Sequence, residues 1–182
     1  MIRAIAGLER LLRPAFATIA VALMAGPAMA GSPACNAPQY RQLDFWLGSW
    51  KAYDDDGNGP YIATDDISTI LGGCVVLERY RQNDGHDGNG VTIYDTSRKL
   101  WHQTWVTNSG QLLIIEGAFE KGALTMSGDN LDKDGKRVWY RVSWKQQTAG
   151  KAGVRETAVT SKDGGRSWQP AFDILFVRAR TG

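Results

Sequence analysis

The feature that most constrains this chain is its period. From about residue 46 onward, apolar and polar residues alternate in short runs rich in Val, Ile, Thr, Trp and Tyr. Alternation at period two puts successive side chains on opposite faces of an extended strand. Ten such runs are predicted as strands, near 46–53, 61–71, 74–80, 90–94, 100–106, 112–119, 123–127, 138–145, 154–161 and 168–178. The breaks carry turn chemistry: Asp56-Gly57, Asp87-Gly88, Ser109-Gly110, Asp134-Gly135 and Asp163-Gly164 supply positive φ at low cost. Only 37–43 reads as a helical lead-in. Ten sequential strands with hairpin-sized gaps predict an all-β, antiparallel up-and-down barrel, because closure removes the open edges of a meander. A two-sheet sandwich is the competing architecture, but Greek-key sandwiches need longer crossovers.

The first thirty residues have a different character. Arg3, Arg10 and Arg13 precede an apolar run over 15–25, and Ala28-Met29-Ala30 supplies a small-x-small cleavage site. This is the pattern of a secretory signal peptide cleaved after Ala30, which leaves 31–182 as a single domain in the periplasm or outside the cell. Of the 21 basic and 19 acidic residues, the leader takes three arginines and Glu9. The remainder is formally neutral, so there is no electrostatic case for nucleic acid or anionic membranes. No later apolar run is long enough to span a bilayer as a helix. Cys35 and Cys74 are the two cysteines, and an even count in an exported chain predicts one disulfide. Zinc would need more ligands at short spacing than His86 and His102 provide. No cofactor is expected.

Gly48-Ser49-Trp50, closing "LDFWLGSW", is similar to the G-x-W arrangement in the first strand of lipocalins. There the tryptophan packs across one barrel end and the glycine permits a tight entry. Together with "ACNAPQYRQLDFWLGSW", "GGCVVLERY" and "VTIYDTSRKLWHQTWV" in order, it resembles a DUF1579-like family of exported bacterial proteins. The resemblance covers nearly all of 31–182. It implies a calycin-type barrel and brings no established activity. Members carry an aromatic and an acid before the last turn, where this chain departs with Ala158 and Val159.

That last turn, "SKDGGRSW", has the form of the Asp-box of sialidases and other β-propellers. A propeller needs several blades of ~40–50 residues each, and the motif occurs once. The structural reading is favoured: Asp163 accepts backbone N–H bonds, Gly164 and Gly165 take positive φ, and Trp168 anchors the hairpin. Asp54, Asp56, Asn58, Gly59 and Asp65 match several positions of a calcium loop, but strands rather than helices flank them, so a solvated hairpin loop is the better account.

The candidate site is a ligand wall inside the barrel. In "LWHQTWV" the period places Trp101, Gln103 and Trp105 on one face and His102, Thr104 and Val106 on the other. Two indoles flanking an amide are either barrel core or a binding wall for a small, partly apolar molecule. His102 has no evident acid or nucleophile as partner, and His86 sits in a polar loop. Glu78, Glu116, Arg141, Arg155 and Glu156 interrupt apolar strands. Mid-strand charges either face solvent or pair inside. Arg141 shares a face with Trp139 and Ser143; if that face is inner, Glu78 or Glu116 is its partner. The expected lining is therefore Trp101, Gln103, Trp105 and Arg141, with Glu78 and Glu116 as polar partners. A barrel enzyme using an acid pair with Arg141, and an envelope interaction protein with a filled barrel, are the alternatives.

Overall fold

A computed structural model describes residues 35–54 and 57–179. The expected leader, 1–30, and Asp56 of the loop motif lie outside them. Ten strands follow one another: β1 Gly48–Asp54, β2 Ala63–Ile70, β3 Val75–Gln82, β4 Asp87–Asp95, β5 Leu100–Thr107, β6 Leu112–Glu120, β7 Ala123–Leu131, β8 Arg137–Gln147, β9 Gly153–Ser161 and β10 Gln169–Arg178. Each pairs antiparallel with its sequence neighbours, and β10 pairs back onto β1 to close the barrel. The sandwich alternative is thereby excluded, and the architecture is that of a calycin-like barrel.

One expected turn is displaced. Asp87-Gly88 lies inside β4, and the chain reverses earlier, at Gly85 with φ 89°. The glycines of β4 have another task. A Cβ on Gly88 would sit 2.1 Å from the Trp105 ring, and one on Gly90 would sit 2.6 Å from the Glu78 carboxyl. Their missing side chains make room inside the barrel for larger groups from β3 and β5.

One barrel end is plugged. The lead-in forms two 3-10 turns, Pro38–Arg41 and Asp44–Trp46, which drop Leu43 and Trp46 into the core. Trp46 stacks on Trp50 at 5.4 Å and meets Phe176 edge-on at 4.6 Å. The Trp50 indole N–H donates to the Trp46 carbonyl at 2.8 Å. Gly48 explains its place in the G-x-W motif: its φ is 123°, and a Cβ there would collide with the Arg178 guanidinium, which stacks 4.0 Å over Trp50. The Cys35–Cys74 disulfide fastens the lead-in to the start of β3 across 39 residues. Closing a loop of that size stabilises the fold by about 4 kcal/mol in the chain-entropy account.

The plug and the strand ends near it hold most of the large apolar core. The opposite end carries the turns β3–β4, β5–β6, β7–β8 and β9–β10, and nothing comparable fills it. A cavity of about 610 Å³ opens there.

Candidate functional site

The inner faces of the strands fix what lines this cavity. On β3 the inward positions are Val76, Glu78 and Tyr80; on β5 they are Trp101, Gln103 and Trp105; on β8 they are Val138, Tyr140, Val142 and Trp144. β9 contributes Val154, Glu156 and Ala158. Glu78, Gln103 and Trp144 form the floor, since they also border the packed interior beneath. Tyr80 and Trp105 make the wall, edge-to-face at 6.2 Å. Leu113, Ile115, Val142 and Ile174 supply apolar surface, and Phe172 reaches the rim.

Three carboxyl groups meet in this interior. Glu78 is 5 % exposed and Asp65, behind it on β2, is 1 % exposed. Glu156 opens onto the cavity. Among the described residues, the charged ones that line the cavity are Glu78, Glu156, Asp132 and Lys133, of which Lys133 is the cation and stands at the rim, in the β7–β8 turn. An ionised carboxylate buried without a cation is strongly disfavoured, so such groups hold their protons. Burial, followed by the negative charges of Glu78 and Asp66, pushes Asp65 up to about 9. Burial and then the charge of Glu156 raise Glu78 well above the carboxylate range. Burial and then Asp65 push Glu156 up to about 8. Tyr80 is raised too, by burial and then by Glu156. In the empty barrel at neutral pH these acids are predominantly neutral.

The hydrogen bonding around them is sparse. Gln103 Nε2 donates to Glu78 Oε2 across 3.4 Å, a long contact. Neither oxygen of Asp65 has an N–H or hydroxyl donor within bonding distance; the group it meets is the Glu78 carboxyl, and two carboxyls can bond only by sharing a proton. The buried Trp144 Nε1 also lacks a partner. It acts on Glu156 through its N–H dipole without forming a bond of ordinary length. Unsatisfied polar atoms of this kind are uncommon in packed interiors.

Of the six expected site residues, Glu78, Gln103 and Trp105 converge on the cavity. Trp101 faces inward but lies in the plug, where its Nε1 donates to Gln42 Oε1 at 2.9 Å and its ring meets Tyr94. Arg141 and Glu116 are corrections: both lie on the outer face. Val142 and Trp144 take the inner positions of β8, so Arg141 stays in solvent and stacks 4.3 Å over Trp168. Ile115 takes the inner position of β6, so Glu116 faces out. The calcium reading also fails at Asp65, which points into the barrel and not into the β1–β2 loop. Among the described residues no group of three or more His, Cys, Asp or Glu side chains is arranged to hold a metal ion.

Glu116 gives His102 the partner it was not expected to have. His102 Nδ1 lies 2.7 Å from Glu116 Oε1, and Nε2 lies 3.1 Å from Thr104 Oγ1. Arg98 joins the same carboxylate at 2.8 Å. Arg98 first, then His102, hold Glu116 below the usual carboxylate range. Acid, imidazole and hydroxyl stand in the order of a hydrolytic triad. Yet Thr104 is mid-strand, and the surrounding backbone is committed to ladders with β4 and β6. That leaves no pair of N–H groups to hold an oxyanion. The cluster is a surface ion-pair network.

At the β9–β10 turn, Asp163 Oδ1 accepts from Ser161 Oγ at 2.7 Å, Arg166 N at 3.0 Å and Ser167 N at 2.9 Å; Oδ2 accepts from Ser167 Oγ at 2.6 Å. These donors, Ser167 first, hold its carboxyl far below the usual range. Gly164 and Gly165 take positive φ, and the Trp168 indole N–H donates to the Gly165 carbonyl at 3.0 Å.

Sequence reasoning missed Asp65 and passed over Glu156. Both were legible from alternation. In "ATDDIST" adjacent acids must fall on opposite faces, and Asp65 shares its face with Ala63 and Ile67. In "VRETA" Glu156 sits between Val154 and Ala158. No family model matches the sequence, and no curated protein matches it. The architecture therefore stands on the barrel itself.

Proposed function

We propose that this protein binds a small, partly apolar molecule inside its barrel. The cavity of about 610 Å³ at the unplugged end carries this reading. Its volume is in the range of ligand sites, and its lining is apolar and aromatic with a few polar groups that can orient a guest. Trp105 and Tyr80 form the stacking wall, while Gln103, Glu78 and Glu156 provide polar contacts. The resemblance to DUF1579-like exported proteins and the signal-like first thirty residues add the setting: a periplasmic or secreted carrier. The Cys35–Cys74 disulfide suits an oxidising compartment. No helix among the described residues is long and apolar enough to cross a membrane.

The test is binding of N-phenylnaphthylamine, a neutral dye that brightens in apolar cavities. Saturable one-to-one binding with quenching of tryptophan emission is expected, and Gly88→Leu, which drives a side chain into the Trp105 ring, should abolish it while leaving a folded barrel by circular dichroism. Absence of binding to the wild-type protein, or binding unaffected by Gly88→Leu in a folded variant, contradicts the reading.

A second reading is a barrel enzyme in which Glu156 or Glu78 acts as a general acid. Carboxyls held protonated in a solvent-reachable cavity favour it. With Arg141 outside, the cation on the cavity lining is Lys133 at the rim. The filled-barrel alternative has the open cavity against it.

A further inference from the structure

The cavity is built for one sign of charge. Its floor and far wall hold Glu78 and Glu156, with Asp65 directly behind, and the single lysine at its rim is exposed. A carboxyl buried in this way needs a reason to remain, because an apolar residue would pack there at no desolvation cost. The aromatic surface around the acids has the complementary property. Trp105, Tyr80 and Tyr140 line the cavity, and an aromatic ring attracts a cation to its π-face. A second, independent observation is the Trp144 indole N–H. It is buried, borders the cavity, has no partner within hydrogen-bond distance, and is directed at Glu156, whose charged form it favours.

We infer that the ligand is an organic ammonium ion with an apolar body, seated on the aromatic wall with its charge against Glu156. This rests on the ligand-binding reading above and names its ligand class. In the empty barrel the Glu156 carboxyl keeps its proton. When the cation enters, that proton leaves to solvent, the carboxylate pairs with the ammonium group, and the Trp144 N–H donates to the carboxylate. One proton is released per ion bound, and the site remains electrically neutral. Asp65 and Glu78 each keep a proton beneath, one carboxyl donating its proton to the other.

Several titratable groups face Glu156. Asp65 on β2 acts on it directly, as does Glu78 on β3. Tyr80 and Tyr140 share the cavity, and Asp132 and Lys133 stand at its mouth. Asp54 follows in the same register row beyond Ile174. Arg155 and Asp173, its neighbours on β9 and β10, pair with each other at 2.6 Å. No cation in this set competes for the Glu156 carboxylate from within the cavity, which leaves the position open to a cationic guest.

Benzyltrimethylammonium is the probe, because its charge is fixed at every pH. It should displace bound N-phenylnaphthylamine, and its affinity should rise at least about tenfold between pH 6 and pH 9 as the competent, ionised site becomes populated. Calorimetry in buffers of different ionisation enthalpy at pH 7 should show close to one proton released. Glu156→Gln, an isostere of the neutral acid, should remove the proton release and weaken the ammonium ion at least about tenfold at pH 9, in a variant shown to be folded by circular dichroism. Glu78→Gln serves as a second variant, expected to keep the proton release. If the dye binds but the ammonium ion does not displace it, the inference fails and the ligand-binding reading stands. If the ammonium ion binds with no dependence on pH or on Glu156, the inference also fails. If neither molecule binds, both readings fail.

Discussion

Asp163 and Glu156 belong to the same stretch of chain, one in the turn that leaves β9 and the other in the middle of that strand, yet their carboxyls live under opposite conditions. Asp163 is fully exposed and collects four donors from two serines and the turn backbone. Its charge is the form the structure wants. Glu156 is enclosed by the barrel, faces two other acids and has one indole dipole near it. Its charge is the form the structure resists. The same side-chain chemistry is thus a turn clamp at the rim and a proton store inside. Position relative to the strand period decides which.

The contrast makes the pH dependence of stability two-sided. For the interior acids the folded value lies above the ordinary one, 4.5 for Glu156 against about 8. Between those values the folded protein holds more protons than the unfolded chain, so stability is full below the lower value and falls as pH rises through the window. For Asp163 the folded value lies below the ordinary 3.8. Its contribution is present above that value and is lost as pH falls.

The largest expected effect breaks the contrast from inside. Urea unfolding of the wild-type protein should show stability falling between pH 5 and pH 9, by on the order of a few kcal/mol per interior carboxyl that ionises. Glu156→Gln should flatten much of that slope, and Glu78→Gln combined with it should flatten more. A slope that is unchanged in both variants would contradict the account. Next comes the rim. Asp163→Ala should lower the melting temperature at pH 7, show a deficit that shrinks as the pH falls below the ordinary 3.8, and leave the slope from pH 5 to 9 and the dye affinity untouched. Loss of binding at an unchanged melting temperature would show that the turn belongs to the site. The smallest effect is expected outside the barrel wall. Arg141→Ala removes an exposed stacking contact over Trp168 and should cost under about 1 kcal/mol with no change in dye affinity by fluorescence titration. A large loss of affinity would place Arg141 back at the ligand.

Much of the fold was legible because alternation and turn residues are local signals. All ten strands lie where the sequence places them, and the G-x-W motif and cysteine pair mark the plugged end. The site was half legible. Trp105, Gln103 and Glu78 follow from period two once an inner face is chosen. Arg141 and Glu116 went to the wrong face because a charge between apolar residues suggests an inner partner, whereas on β8 and β6 both neighbours of the charge are the inner ones. Asp87-Gly88 reads as a turn because Asp-Gly is a strong turn signal; the task of Gly88 in seating Trp105 is a contact between strands that no local pattern records. Asp65 enters the sequence pattern only as part of a loop motif. Its neighbour Asp66, which accepts from Ser49 Oγ at 2.6 Å on the outside, is the clue that one of the two had to point in.

The central claim is that the empty barrel stores protons on its interior carboxyls at neutral pH. Carbon-13 NMR titration of the Asp and Glu carboxyl carbons measures this directly. The account predicts that the resonances of Asp65 and Glu156, assigned through Asp65→Asn and Glu156→Gln, remain in the protonated position at pH 7 and titrate above it, that Glu78, assigned through Glu78→Gln, titrates well above the ordinary 4.5, and that Asp163 titrates below the ordinary 3.8. Titration of all three interior carboxyls below pH 5 would contradict it.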